Sequence, residues 1–154
     1  MTDYELLEAE AVNNNIDVVQ YDFQSPRIKG LYCDGVISIS PHLSNVEKAD
    51  VLAEELGHYY TSCGNILDPN NVSCRKQEQK ARLWAYDRRI GLSGIIRAYE
   101  HGCQSFHETA DYLEVTEEFL SEAIKKYQAK YGLWVQHDEY VISFADGVQV
   151  GKMI

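Results

Sequence analysis

The string Glu54-Glu55-Leu56-Gly57-His58 constrains this chain more than any other segment. It lies in a helical pattern that opens with the capping-box form Ser44-Asn45-Val46-Glu47 and should run to about Ser62. Val46, Leu52, Leu56 and Tyr59 are the residues this helix should turn inward. Side chains four apart on a helix lie one above the other, so Glu54 and His58 share a face. Both types bind divalent metals, histidine through nitrogen and glutamate through oxygen. Glu55 stands beside them, angled to reach a metal-bound water as general base. This is the logic of the H-E-x-x-H motif, with Glu54 in place of the first histidine. The competing reading is a solvated acidic face with a boundary histidine. Val51, Leu52, Leu56 and Tyr59 weigh against it, because they leave the helix little purely polar face.

A third ligand must come from elsewhere, and Glu78 is the best candidate. It falls early in a helix expected from Cys74 to about Arg89, capped by Ser73. Ala81 and Ala85 follow at i+3 and i+7, small residues that let an antiparallel neighbour approach closely. Gly57 is expected to give similar room to a strand crossing the first helix. Cys63 and Cys74 bracket the loop between the two helices, which Gly64 and Asp68-Pro69-Asn70-Asn71 mark. Either thiol is an alternative to Glu54 as a soft ligand. Read as small buried hydrophobes, they have no such role.

The remaining segments alternate in type. Tyr4–Val12 reads as a helix ended by three asparagines, and 16–21 as a strand. Residues 27–32 and 36–40 form a hairpin about Asp34-Gly35, and the second strand is expected to offer an edge to an extended peptide. A short helix over 93–100 closes at Gly102. A second capping box, Ser105 to Glu108, opens a helix through Leu113; a tight turn at Glu114-Val115 leads to a helix capped by Thr116 and ended by Gly132. Short strands follow at 134–136, 140–144 and 148–150, with Asp146-Gly147 as a turn.

Twenty-four acidic against 14 basic residues give a net charge of -10, which repels nucleic acid phosphates. The helix-turn-helix-like unit 105–132 starts its second helix with Glu117 and Glu118, so no direct DNA binding is expected. No run of about 18 apolar residues is present and the first residues lack a signal-peptide pattern, so we expect no membrane association and a cytoplasmic protein. Cys33, Cys63, Cys74 and Cys103 are scattered and read as reduced thiols. His42, His101, His107 and His137 read as solvent-facing.

The segment Asp50-Val51-Leu52-Ala53-Glu54-Glu55-Leu56-Gly57-His58-Tyr59-Tyr60 resembles the ImmA/IrrE family of metallo-endopeptidases, gluzincin-like proteins of phages and mobile elements. That family's second signature, E-x-x-A-x-x-F-A, is matched by Glu78, Ala81, Trp84 and Ala85, with tryptophan for phenylalanine. The hairpin with Lys29-Gly30-Leu31-Tyr32 is also similar, and the resemblance covers roughly residues 1 to 132. It implies a zinc peptidase that cleaves a phage or mobile-element repressor. Glu54, His58 and Glu78 would hold Zn²⁺, and Glu55 would be the general base. Glu54 departs from the family's histidine. Two anionic ligands make the metal a weaker Lewis acid, and a carboxylate-rich set also accommodates Mn²⁺.

The expected fold is α+β: a small antiparallel sheet on a zincin-like helical core, a helix-turn-helix-like C-terminal unit and short terminal strands. We expect one domain over 1–154, with the metal-site core in 1–91 and the helical appendage and strands in 92–154. The alternative function is a catalytically weak or inactive peptidase-fold regulator that binds a repressor or toxin-antitoxin partner.

Overall fold

The capping signals at Ser44, Ser105 and Thr116 open the helices they mark in the computed structural model, which describes residues 2–61 and 72–154 and, of 72–74, only the backbone; Ser73, expected as a cap, instead lies inside a helix that already begins at Val72. The chain forms two compact units, Met1–Ala85 and Tyr86–Ile154. In the first unit, α1 (Asp3–Asn13) starts where the Thr2 hydroxyl accepts the Glu5 N–H at 3.2 Å, and it buries Leu7 and Ala11. The chain then enters β1 (Asp17–Gln20). The hairpin of β2 (Gly30–Cys33) and β3 (Val36–Ile39) follows. Asp34 and Gly35 between them have φ of 47° and 79°, the positive angles a two-residue turn needs to match strand twist.

β3 pairs antiparallel with β2 and parallel with β1, giving the order β1-β3-β2. This corrects the expectation that the strand 36–40 offers an edge. Ile37 and Ile39 are 0% exposed, and both sides of β3 are already paired. A strand with two buried isoleucines gains most in the middle, where neighbours cover its backbone and its apolar face together. The edges of this sheet are β1 and β2.

The capping box of α2 (Asn45–Thr61) is reciprocal. Ser44 Oγ accepts the Glu47 N–H at 3.2 Å, and Glu47 Oε1 accepts the Ser44 N–H at 3.3 Å. Leu52 and Leu56 are fully buried as expected, whereas Val46, in the first turn, is 37% exposed. α2 packs against α1, β2 and β3, and α3 (Val72–Arg89) carries the second half of the site. Gly57 is corrected too. A Cβ there would overlap the Ala81 carbonyl oxygen and lie 3.2 Å from the Ala81 Cα, so Gly57 makes room for a helix. Room for a strand is made from the other side, by Gly30 of β2. Its Cβ would come 2.5 Å from Val51 Cγ1 and 3.4 Å from Glu55 Cγ.

In the second unit, α4 (Gly91–His101) stops at Gly102, whose φ of 97° suits only glycine well. α5 (Phe106–Leu113) is capped by Ser105, which accepts the Glu108 N–H at 3.0 Å. The Glu108 carboxylate accepts from the Gln104 N–H, so this box closes one residue early. Glu114 turns the chain with φ of 57°, and Thr116 caps α6 (Glu117–Tyr131), accepting from Phe119 N–H at 3.0 Å. β4 (Trp134–His137), β5 (Tyr140–Ser143) and β6 (Gln149–Lys152) form an antiparallel meander. Phe119, Leu120, Ala123, Tyr127, Ile142 and Phe144 fill the core of this unit. The fold is α+β, with two small three-stranded sheets.

Candidate metal centre

The last two turns of α2 and the third turn of α3 meet over the Gly57–Ala81 contact. Backbone lies against backbone there, so His58, next to Gly57, can touch Glu78, one turn before Ala81, across the gap. His58 Nε2 lies 3.2 Å from Glu78 Oε2, with the two side chains 21% and 43% exposed. Two donors each about 2.0–2.1 Å from a tetrahedral ion are about 3.3 Å apart, so this pair already has ligand spacing. The other Glu78 oxygen accepts from Arg82 Nε at 3.2 Å, one turn along α3, which fixes the carboxylate plane.

Glu55 is half-buried on α2, next to the backbone of Gly30 and Tyr32. Burial raises its proton affinity most, and the nearby charges of Glu54 and Glu78 raise it further. A backbone hydrogen bond from Tyr32 acts the other way. The balance pushes the Glu55 carboxyl up to about 8. An anion costs free energy at this position unless a cation sits beside it, and a divalent cation held by His58 and Glu78 would supply that charge. The donor set of one imidazole and neighbouring carboxylates therefore fits a divalent metal.

The structure thus brings His58 and Glu78 together and sets Glu55 under β2. Glu54 is half-buried one turn before His58, and among the described residues no three His, Cys, Asp or Glu side chains form a metal cluster. Cys63 and the side chain of Cys74 lie outside the described residues. His42 and His107 are exposed beside Asp22 and Asp111. His101 is exposed and stacks on Tyr112, and His137 bonds Ser93 Oγ at 3.2 Å.

Residues 7–125 match the model of peptidase family M78, the IrrE N-terminal-like domain. The chain belongs to this family. Its match spans Glu54, Glu55, His58 and Glu78, and membership makes the protein metallopeptidase-like, as the ImmA/IrrE resemblance implies. No curated protein and no solved structure matches this M78 family member. No helix among its described residues is long and apolar enough to cross a membrane.

Two features of the site escaped sequence reasoning. One is the backbone of β2 against Glu55, for which a glycine inside a strand pattern, Gly30, was the available signal. The other is an aromatic chain from β2 through α2 to α3. Tyr32 and Tyr59 are 6.0 Å apart by ring centroid, Tyr59 and Tyr60 5.0 Å, and Tyr60 and Trp84 4.8 Å. Tyr60 is also pinned to α1, donating to Glu10 at 3.1 Å and accepting from Asn14 at 2.9 Å. The paired tyrosines directly after His58 were its signal.

Proposed function

We propose that this M78 family member is a metal-dependent endopeptidase acting on a repressor-like protein. The observation that carries the reading is the His58–Glu78 pair at 3.2 Å, inside the span that matches the family. His58 and Glu78 would hold the cation, with Glu54 as the third donor. Bound there, a divalent ion, Zn²⁺ or Mn²⁺, would polarise the scissile carbonyl. Glu55 takes the proton of the attacking water and returns it to the leaving amine. The outer edge of β2, beside Glu55, is where an extended substrate pairs by strand addition. DNA is not the partner in this reading, because α6 opens with exposed Glu117 and Glu118.

A second reading, a regulator that binds its partner without cutting it, draws support from the lack of a three-donor cluster among the described residues. One experiment separates the two. Protein purified without added metal is analysed for its elements, and wild type and Glu55→Gln are incubated with a repressor encoded beside the gene. A bound divalent ion and cleavage lost in Glu55→Gln support the peptidase. Binding of the repressor by both proteins with cleavage by neither supports the regulator.

A further inference from the structure

The second unit contains a cavity of about 510 Å³ that the peptidase reading leaves unused. It opens among α4, α5, α6 and the turn leading into β6. Ile95, Ala98 and Leu120, all nearly fully buried, form its floor. Tyr99 and Phe106 stand at its mouth, 46% and 42% exposed. The size and the apolar floor are those of a small-molecule site.

Two exposed side chains of opposite charge line the same cavity, Lys125 on α6 and Asp146 on the β5–β6 turn. Among the described residues neither has an ion-pair or hydrogen-bond partner. The cavity therefore combines an apolar interior with one unused cation and one unused anion. An apolar ligand leaves both charges unused. An anionic or cationic amphiphile gains one attraction and meets one repulsion, and only a ligand carrying both signs gains from each.

We propose that this cavity binds a small zwitterion with an apolar body, the chemistry of a free apolar α-amino acid. The apolar side chain lies over Ile95, Ala98 and Leu120. The α-carboxylate faces Lys125 and the α-ammonium faces Asp146. The site lies wholly in the second unit and does not depend on the metal centre or on the peptidase reading.

The test is titration of the full chain with L-leucine and L-phenylalanine, followed by backbone amide NMR shifts. N-acetyl-L-leucine, which lacks the ammonium, and L-leucinamide, which lacks the carboxylate, are the controls. The expected result is saturable binding of at least one amino acid, with shifts centred on Ser121, Lys125, Asp146 and Gly147. Each control should bind about fivefold more weakly, as for one partly solvated ion pair. Lys125→Gln and Asp146→Asn change exposed side chains and leave the fold intact. Each should cost about fivefold in affinity for the amino acid. Lys125→Gln should also bind leucine and leucinamide equally, and Asp146→Asn should bind leucine and N-acetyl-leucine equally. No saturable shift up to ~10 mM of either amino acid overturns the proposal. So does binding that ignores both substitutions, or controls that bind wild type as well as leucine does.

Discussion

Both units contain a three-stranded sheet with a buried isoleucine strand in the middle, β3 in one and β5 in the other. They use that sheet differently. The meander β4-β5-β6 is built from neighbours in sequence, and its central Ile142 closes the core of its own unit. The sheet β1-β3-β2 needs a parallel pairing across the β2 hairpin arm, and its edge strand lies close enough to α2 to hydrogen-bond a carboxylate. The second arrangement places a carboxyl where burial disfavours its charge. Local inconsistency of this kind collects where a protein acts on something else.

The contrast breaks most sharply at two glycines. Gly57→Ala drives a methyl into the Ala81 backbone, which has no rotamer by which to move aside. It should destabilise the protein by about 3 kcal/mol, the upper end for overpacking, in denaturant unfolding. Gly151→Ala on β6 meets nothing within 4 Å and should fall within about 0.5 kcal/mol of wild type. Equal effects at the two positions would show that the α2–α3 approach is looser than described.

A smaller effect tests the charge itself. The folded-state carboxyl of Glu55 titrates at about 8, above its ordinary value of 4.5. Between those values the folded protein holds a proton that the unfolded chain has lost. Stability of the metal-free protein should therefore fall as pH rises from about 5 to about 8, by on the order of 2 kcal/mol. Glu55→Gln should flatten that slope in urea titrations made with a chelator across this range. A slope unchanged in Glu55→Gln would assign the pH dependence elsewhere. A smaller effect again tests the second unit. Thr116→Ala removes the α6 cap and should cost about 1 kcal/mol, with little dependence on pH.

What was legible in the sequence is local. Ser44 with Glu47, Asp34-Gly35, Thr116 and Gly102 each act within a few residues of where they stand, and each marks its element correctly. Glu54, Glu55, His58 and Glu78 could be singled out because i, i+4 spacing and the E-x-x-A-x-x-F-A pattern are also short-range signals. The entry of β1 beside β3 was not legible, since nothing in Asp17–Gln20 names a partner 19 residues on. The place of Gly57 against Ala81 was half legible. The need for a small residue could be read, but its partner could not, because a glycine looks the same under a strand and under a helix.

The Gly57–Ala81 contact has a consequence for engineering. At this point α2 and α3 approach main chain against main chain, beside the His58–Glu78 side-chain contact. In the proposed metal-dependent reading, replacing Glu54 with histidine should alter the charge and softness of the donor set while the frame that holds His58 opposite Glu78 stays in place. If that reading holds, the chain would offer a mount on which donors can be exchanged one at a time and the resulting metal preferences compared at constant geometry.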